Sequence, residues 1–196
     1  MPKRDDAHML ARRQQIMDAA RTCIETKGVA AASMSEISAA AGLSIGAIYT
    51  HFSSKEEILV QIMRQYSEAQ DWLEGCNTAQ QMFNRISALL NKLGKRDEAH
   101  PEGRTAFEIA ALARRIPAVH EAMEFSYQHL RQSMLKQVQL VAPEADRTLI
   151  ATICESLVAL LLSAQFQMVA GLSADTAAKR RAVRALIAQV YSGPLK

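Results

Sequence analysis

Glycine and proline fall between the apolar-periodic runs of this 196-residue chain rather than inside them, and that placement constrains its fold more than any other feature. Runs such as Ile16, Ala19, Ala20, Cys23 and Ile24 return to one helical face every three or four positions. No stretch alternates apolar and polar residues with the period of two that a half-buried strand requires. The expected class is all-α. With 49% hydrophobic against 22% charged residues, the chain can bury a real core.

Local start and stop signals divide the chain into nine expected helices. The first runs from about Arg12 to Lys27, with Gly28 as its left-handed stop. Ser33 and Glu36 have the spacing of a capping box and open a second helix, which stops near Gly42. Ser44 caps a third helix of about nine residues, too short to be stable without neighbours. Ser53 and Glu56 form another box, opening a long fourth helix that Gly75 ends. Thr78 and Gln81 start a fifth, stopped at Gly94, and Pro101 suits the first turn of a sixth. Pro117 separates the sixth from a seventh that reaches about Val141. Pro143 begins an eighth, stopped by Gly171, and Ser173 caps a ninth that ends near Tyr191. The expected organisation is a three-helix head over residues 1–53 and a larger helical body over residues 54–196.

Composition removes several alternatives. The net charge of +3 is not concentrated in the head: residues 1–60 hold seven Lys or Arg and seven Asp or Glu, so a nucleic-acid reading must rest on geometry rather than bulk charge. Cys23, Cys76 and Cys154 are odd in number and far apart, which reads as reduced core thiols rather than a disulfide framework or a zinc site. The most apolar run, Leu157 to Ala164, is far short of the roughly 20 residues that span a bilayer, so no membrane passage is expected. The charged N-terminus has no apolar run behind it, hence no evident leader, and a cytoplasmic location is expected. His8, His51, His100, His120 and His129 offer no HExxH or paired metal spacing, and neither a Gly-rich phosphate loop nor a GxSxG elbow occurs. No metal or cofactor is implied. An enzyme working through Cys or His, such as Cys154 beside Glu155, is the competing class.

Helices two and three are separated by a few residues around Gly42, with Ile37, Leu43 and Ile48 placed to pack inward and the first helix as a third wall. This is the pattern of a helix-turn-helix, whose second helix enters the DNA major groove. The stretch GVAAASMSEISAAAGLSIGAIYTHFSSKEEIL resembles the tetracycline-repressor (TetR) family of bacterial regulators. The resemblance extends over residues 12–64 and rests on Gly28, Ser33, Ile37, Ala41, Gly42, Leu43, Ser44, Gly46, Ile48, Tyr49, His51, Phe52, Lys55 and Glu56 in order and at the family's spacing.

It implies a DNA-binding role for the third helix. Tyr49 occupies the position of a tyrosine that touches the DNA backbone, and Lys55 that of a lysine whose ammonium meets a phosphate at the start of helix four. Thr50 and His51 fall at positions that face DNA in relatives, and Ser33 and Ser35 are placed to bond phosphates. Ser44 and Ser53 are caps alone or caps that also bind phosphate. Ile45 and Ala47 depart from the family, which favours a polar residue and Thr there. Such an apolar pair cannot donate to a base but can touch a thymine methyl, so with Gly46 between them the expectation shifts towards methyl contact and DNA shape.

The resemblance also implies a two-fold dimer on a palindromic duplex operator, with recognition helices roughly 34 to 36 Å apart or further. Helix eight offers Ile153, Leu157, Leu160, Leu161, Ala164 and Met168 to the dimer, and helix nine offers Val183, Leu186, Ile187 and Val190; intramolecular core is the alternative for each. A cavity for a small, largely apolar effector is expected among Met63, Tyr66, Trp72, Phe83, Phe107, Met123, Tyr127 and Phe166, with plain core again the alternative. Arg114 and Arg115, and Lys179 to Arg181, read as solvated faces. The leading reading is a repressor released by a ligand. A regulator without a ligand, controlled by a partner or constitutive, is the alternative.

Overall fold

The computed structural model describes residues 3–69, 73–94 and 101–191, and their regular structure is entirely helical. In chain order the helices are α1 (Lys3–Lys27), α2 (Met34–Ala41), α3 (Ile45–Tyr49), α4 (Lys55–Ala69), α5 (Ala79–Gly94), α6 (Pro101–Ala113), α7 (Pro117–Val141), α8 (Arg147–Val169) and α9 (Thr176–Ala188). The expected all-α class and nine helices are thus observed among the described residues. They form two compact units: Met1–Glu68 with His100–Ser126, and Ala69–Ala99 with Tyr127–Lys196.

The first unit is built on one face of α1. Ile16, Ala20, Cys23 and Ile24 meet Ile37 of α2, Ile48 of α3, Phe52 beyond it, Ile58 and Leu59 of α4, and Val119 and Ala122 of α7. α6 also packs against α1. Because α3 is a single turn with no stability of its own, the wholly buried Ile48 is what anchors it.

In the second unit α5, α8 and α9 pack on one another. Phe83, Ile86 and Leu90 of α5, Met134 and Val138 of α7, Ile153 and Leu157 of α8, and Val183 and Ile187 of α9 fill the core. α8 is longer than the short apolar run in its middle suggests. Among the described residues it is the one helix long and apolar enough to cross a membrane. Here its apolar face supplies core residues, and a buried core helix has the same composition.

Several expected boundaries move. α1 begins at Lys3, not near Arg12; Asp6 to Ala11 are exposed, so this part of the helix buries nothing that would announce it by periodicity. α3 has five residues rather than about nine. The cap of α4 is Ser54 instead of Ser53: the Ser54 hydroxyl accepts from Glu57 N at 3.1 Å, while Glu57, not Glu56, returns its carboxylate to Ser53 N at 2.7 Å. Asp146, not Pro143, starts α8, accepting from Thr148 N and Leu149 N. Asp175 replaces Ser173 at the start of α9, which ends at Ala188 rather than Tyr191. At α4 and α9 the expected and observed residues are both competent caps, and the path of the incoming chain selects one. The box at Thr78 and Gln81 forms as expected, with Gln81 N donating to Thr78 Oγ at 3.2 Å and Thr78 N to Gln81 Oε1 at 3.1 Å.

Candidate nucleic-acid interface

The α2–α3 pair is held by local chemistry at both ends. At the start of α2, Ser33 Oγ accepts from Glu36 N at 3.2 Å, and the Glu36 carboxylate accepts from Ser33 N at 2.9 Å, a complete capping box. Lys27 Nζ donates to the same carboxylate at 2.5 Å. The lysine bond first, then the Ser33 N–H, draw the Glu36 carboxyl down to about 2, and the same pairing raises Lys27. Gly42 closes α2 at φ 65, where a side chain would be strained, with Leu43 N returning to Ser38 O at 3.1 Å. Two residues later Ser44 Oγ accepts from Ala47 N at 3.2 Å and starts α3.

With Ile48 turned inward, the opposite side of α3 faces outward. Ile45 is 46% and Tyr49 52% exposed, Ser44, Gly46 and Thr50 are exposed, and Ala47 is half-buried. A Cβ added at Gly46 would meet nothing within 4 Å, so the fold itself does not require glycine there. Ser33 and Ser35 are exposed at the start of α2. The exposed residues on α2 and α3 are accessible to solvent. Thr50 Oγ is bonded back to Ala47 O at 2.7 Å.

His51 and Lys55 are placed differently from their neighbours. The His51 ring is partly covered, with Nδ1 buried and without a hydrogen-bond partner. Lys55 Nζ donates to Val29 O at 2.7 Å and Ala30 O at 3.4 Å, so the ammonium expected at a phosphate engages the chain itself. Three residues that the sequence reading did not single out complete the head. The Arg13 guanidinium lies 4.1 Å from the Phe52 ring centroid and donates to His51 O, and Gln15 Nε2 donates to Ala41 O at 2.7 Å. α1 thereby ties down the carbonyl ends of both α2 and the turn after α3. Glu108 of α6 accepts from Val29 N at 2.5 Å and Ala30 N at 3.2 Å. No local motif marks these contacts, since each joins residues far apart in sequence.

The residues expected around an effector are distributed between the units. Met63 and Met123 are half-buried in the first, where Tyr66 and Phe107 are 59% and 44% exposed. Phe83 belongs to the core of the second unit, its ring 4.8 Å from the Arg184 guanidinium, so it packs the unit rather than lining a site. Tyr127 and Phe166 are exposed on that unit, and Trp72 lies outside the described residues. Two surface clefts, of about 650 and 510 Å³, are lined by none of these side chains.

The α8 and α9 residues expected at a dimer divide sharply. Ile153, Leu157, Leu161, Ala164, Val183 and Ile187 are buried in their own unit, which corrects their assignment to an intermolecular face. Leu160, Met168, Leu186 and Val190 are partly exposed. Around Leu160 and Leu186 the small residues Ser156, Ala159, Ala182 and Ala185 line the 510 Å³ cleft, open to solvent. Cys154 lacks the character of a nucleophile: burial, then the Glu155 charge, push its thiol up to about 11.

A one-turn helix displayed by a glycine turn against α1 is a helix-turn-helix, the arrangement whose second helix can enter a DNA major groove. Residues 16–62 match the family model of bacterial regulatory proteins, tetR family. The chain is 38% identical over 68 residues to the HTH-type transcriptional repressor Rv1474c of Mycobacterium tuberculosis, a match covering 35% of this chain and 36% of that relative. It therefore spans about a third of that relative's length. A TetR-family transcriptional regulator from Mesorhizobium loti superposes with a TM-score of 0.73 at 17% identity, covering 94% of this chain and 96% of the other. The multidrug binding protein EbrR complexed with proflavin superposes with a TM-score of 0.60 at 21% identity, covering 89% and 99%. At such identities the two solved structures speak to the fold alone. Residues 16–62 are thus similar to the tetR family of bacterial regulatory proteins, and the fold of the chain is similar to that of solved members.

Proposed function

We propose that this chain is a DNA-binding transcriptional repressor, acting in the cytoplasm as a homodimer on a palindromic duplex operator. The observation that carries the reading is the solvent-facing side of α3, where Ile45, Gly46 and Tyr49 project opposite the buried Ile48. Ile45 and Ala47 supply methyl contacts to thymine, Gly46 permits close approach, and Tyr49, Thr50, Ser33, Ser35 and Ser44 meet the sugar-phosphate backbone. His51, with its ring half-covered, contributes less to this surface than the resemblance implies. The dimer forms through the small-residue face of Ser156, Ala159, Leu160, Ala182, Ala185 and Leu186, which lets two helix pairs approach closely.

Release by a small, largely apolar ligand is supported by Met63, Tyr66, Phe107 and Met123 of the first unit, and by the fold shared with a multidrug binding protein. The test is selection of a duplex from a random-sequence pool by the full chain, followed by titration with variants. A palindrome should emerge. Tyr49→Ala should weaken all duplexes alike, whereas Ile45→Ala should relax preference at one step by about 1 to 3 kcal/mol. No enriched sequence, or wild-type behaviour of both variants, would overturn the proposal.

A further inference from the structure

Between α1 and α2 the chain passes through Val29 and Ala30, whose four backbone polar groups have unusual partners. Both N–H groups donate to Glu108 Oε2, at 2.5 and 3.2 Å. Both carbonyls accept from Lys55 Nζ, at 2.7 and 3.4 Å. A two-residue link with no helix or strand to satisfy it is thus gripped on one edge by a carboxylate from α6 and on the other by an ammonium from α4. Gly28 makes room for the first grip: at φ +90, a Cβ there would lie 2.6 Å from Glu108 Oε1. The Val29 side chain, 1% exposed, fixes the link to the core from a third direction. Ala32 follows, also buried, and then Ser33, the cap of α2.

We propose that Lys55 and Glu108 are a paired clasp on the α1–α2 link, positioning α2 and the recognition turn for DNA, and that Lys55 serves the operator through this clasp rather than as a phosphate ligand. The inference rests on the DNA-binding reading above. Its logic is one of donors and reach. Two of the three ammonium donors already have carbonyl partners, and moving the ammonium to a phosphate would leave those carbonyls without it. Charge-assisted bonds of this kind are the stronger sort, so losing either grip frees a segment that sits directly before the cap of α2.

Charge alone and the clasp predict opposite signs for Glu108. Removing a carboxylate from the head should tighten binding to a polyanion if only electrostatics mattered, whereas the clasp requires it to weaken. The experiment compares wild type, Lys55→Met, Lys55→Arg, Glu108→Gln and the double variant Lys55→Met/Glu108→Gln on the duplex that wild type selects, across a salt series. Lys55→Met and Glu108→Gln should each weaken binding roughly tenfold, with little change in the salt slope. The double variant should lose less than the product of the two, since both act on one link. Lys55→Arg, which keeps several donors, should retain most of the affinity.

Backbone amide exchange at Val29 and Ala30, measured without DNA on the same proteins, should speed up in Glu108→Gln. A salt slope lower by about one in Lys55→Met, with Glu108→Gln binding as well as or better than wild type, would make Lys55 a phosphate ligand and overturn the clasp. Unchanged amide exchange in Glu108→Gln would overturn it as well. If wild type selects no duplex, the DNA-binding reading fails, and amide exchange still decides whether the clasp exists.

Discussion

At the scale of single residues, the head depends on side chains with two partners each. Glu36 closes the α2 capping box and receives Lys27; Arg13 covers Phe52 and bonds the carbonyl after α3. Glu36 gives a pH prediction. Its folded value of about 2 lies below the ordinary 4.5, so its contribution is complete above the ordinary value and is lost as pH falls towards about 2. Glu36→Gln should therefore narrow the stability difference between neutral and acid solution, as read by circular dichroism through that window. Glu57, lowered mainly by the Ser53 N–H, titrates in the same direction, so a part of the acid sensitivity should survive. Unchanged acid unfolding in Glu36→Gln would show that the bonds to Lys27 and Ser33 do not persist in solution. Residues such as Ser33, Gly42 and Ser44 were legible from sequence because their partners lie within a few positions. Arg13 and Glu108 were not, because nothing local distinguishes them from surface charges.

At the scale of elements, α3 is five residues held by an N-terminal cap and one buried isoleucine, and α4 begins one residue later than its serine pair suggests. The two serines are separable. Ser54→Ala removes the oxygen that accepts from Glu57 N and should cost about 0.5 to 2 kcal/mol in denaturant unfolding, the usual range for a cap. Ser53→Ala should cost less, because the Ser53 backbone N–H keeps its bond to Glu57. Equal losses would place the cap back at Ser53. Shifts of two or three residues recurred at Asp146, three past Pro143, and at Asp175, two past Ser173, where an aspartate further along the chain takes the cap. Helix existence was readable everywhere in the described residues from spacing, but the exposed residues Asp6 to Ala11 of α1 left no periodic signature.

At the scale of the whole molecule, α8 and α9 each have an apolar side given to the core of their own unit and a small-residue side left open. That division locates the proposed dimer. Ala185→Asp, on the open side, should leave helical content intact and convert the protein to monomers in sedimentation velocity, with operator affinity falling because one head reads only half a palindrome. A dimer that survives Ala185→Asp at micromolar concentration would put the interface on another face.

What the sequence determined by itself was the class, the existence of the helices and the turn that displays α3, since each follows from interactions spanning a few residues. The tertiary structure decided which face of an apolar helix is core, which is why Leu157 and Val183 are buried in their own unit while Ala159 and Ala185 are open to solvent. It also decided what long side chains reach: the same Lys55 that a motif assigns to phosphate lies against Val29 and Ala30, because α4 begins beside the α1–α2 link. Periodicity records that a residue is apolar or charged. Only the packed chain determines the partner that residue meets.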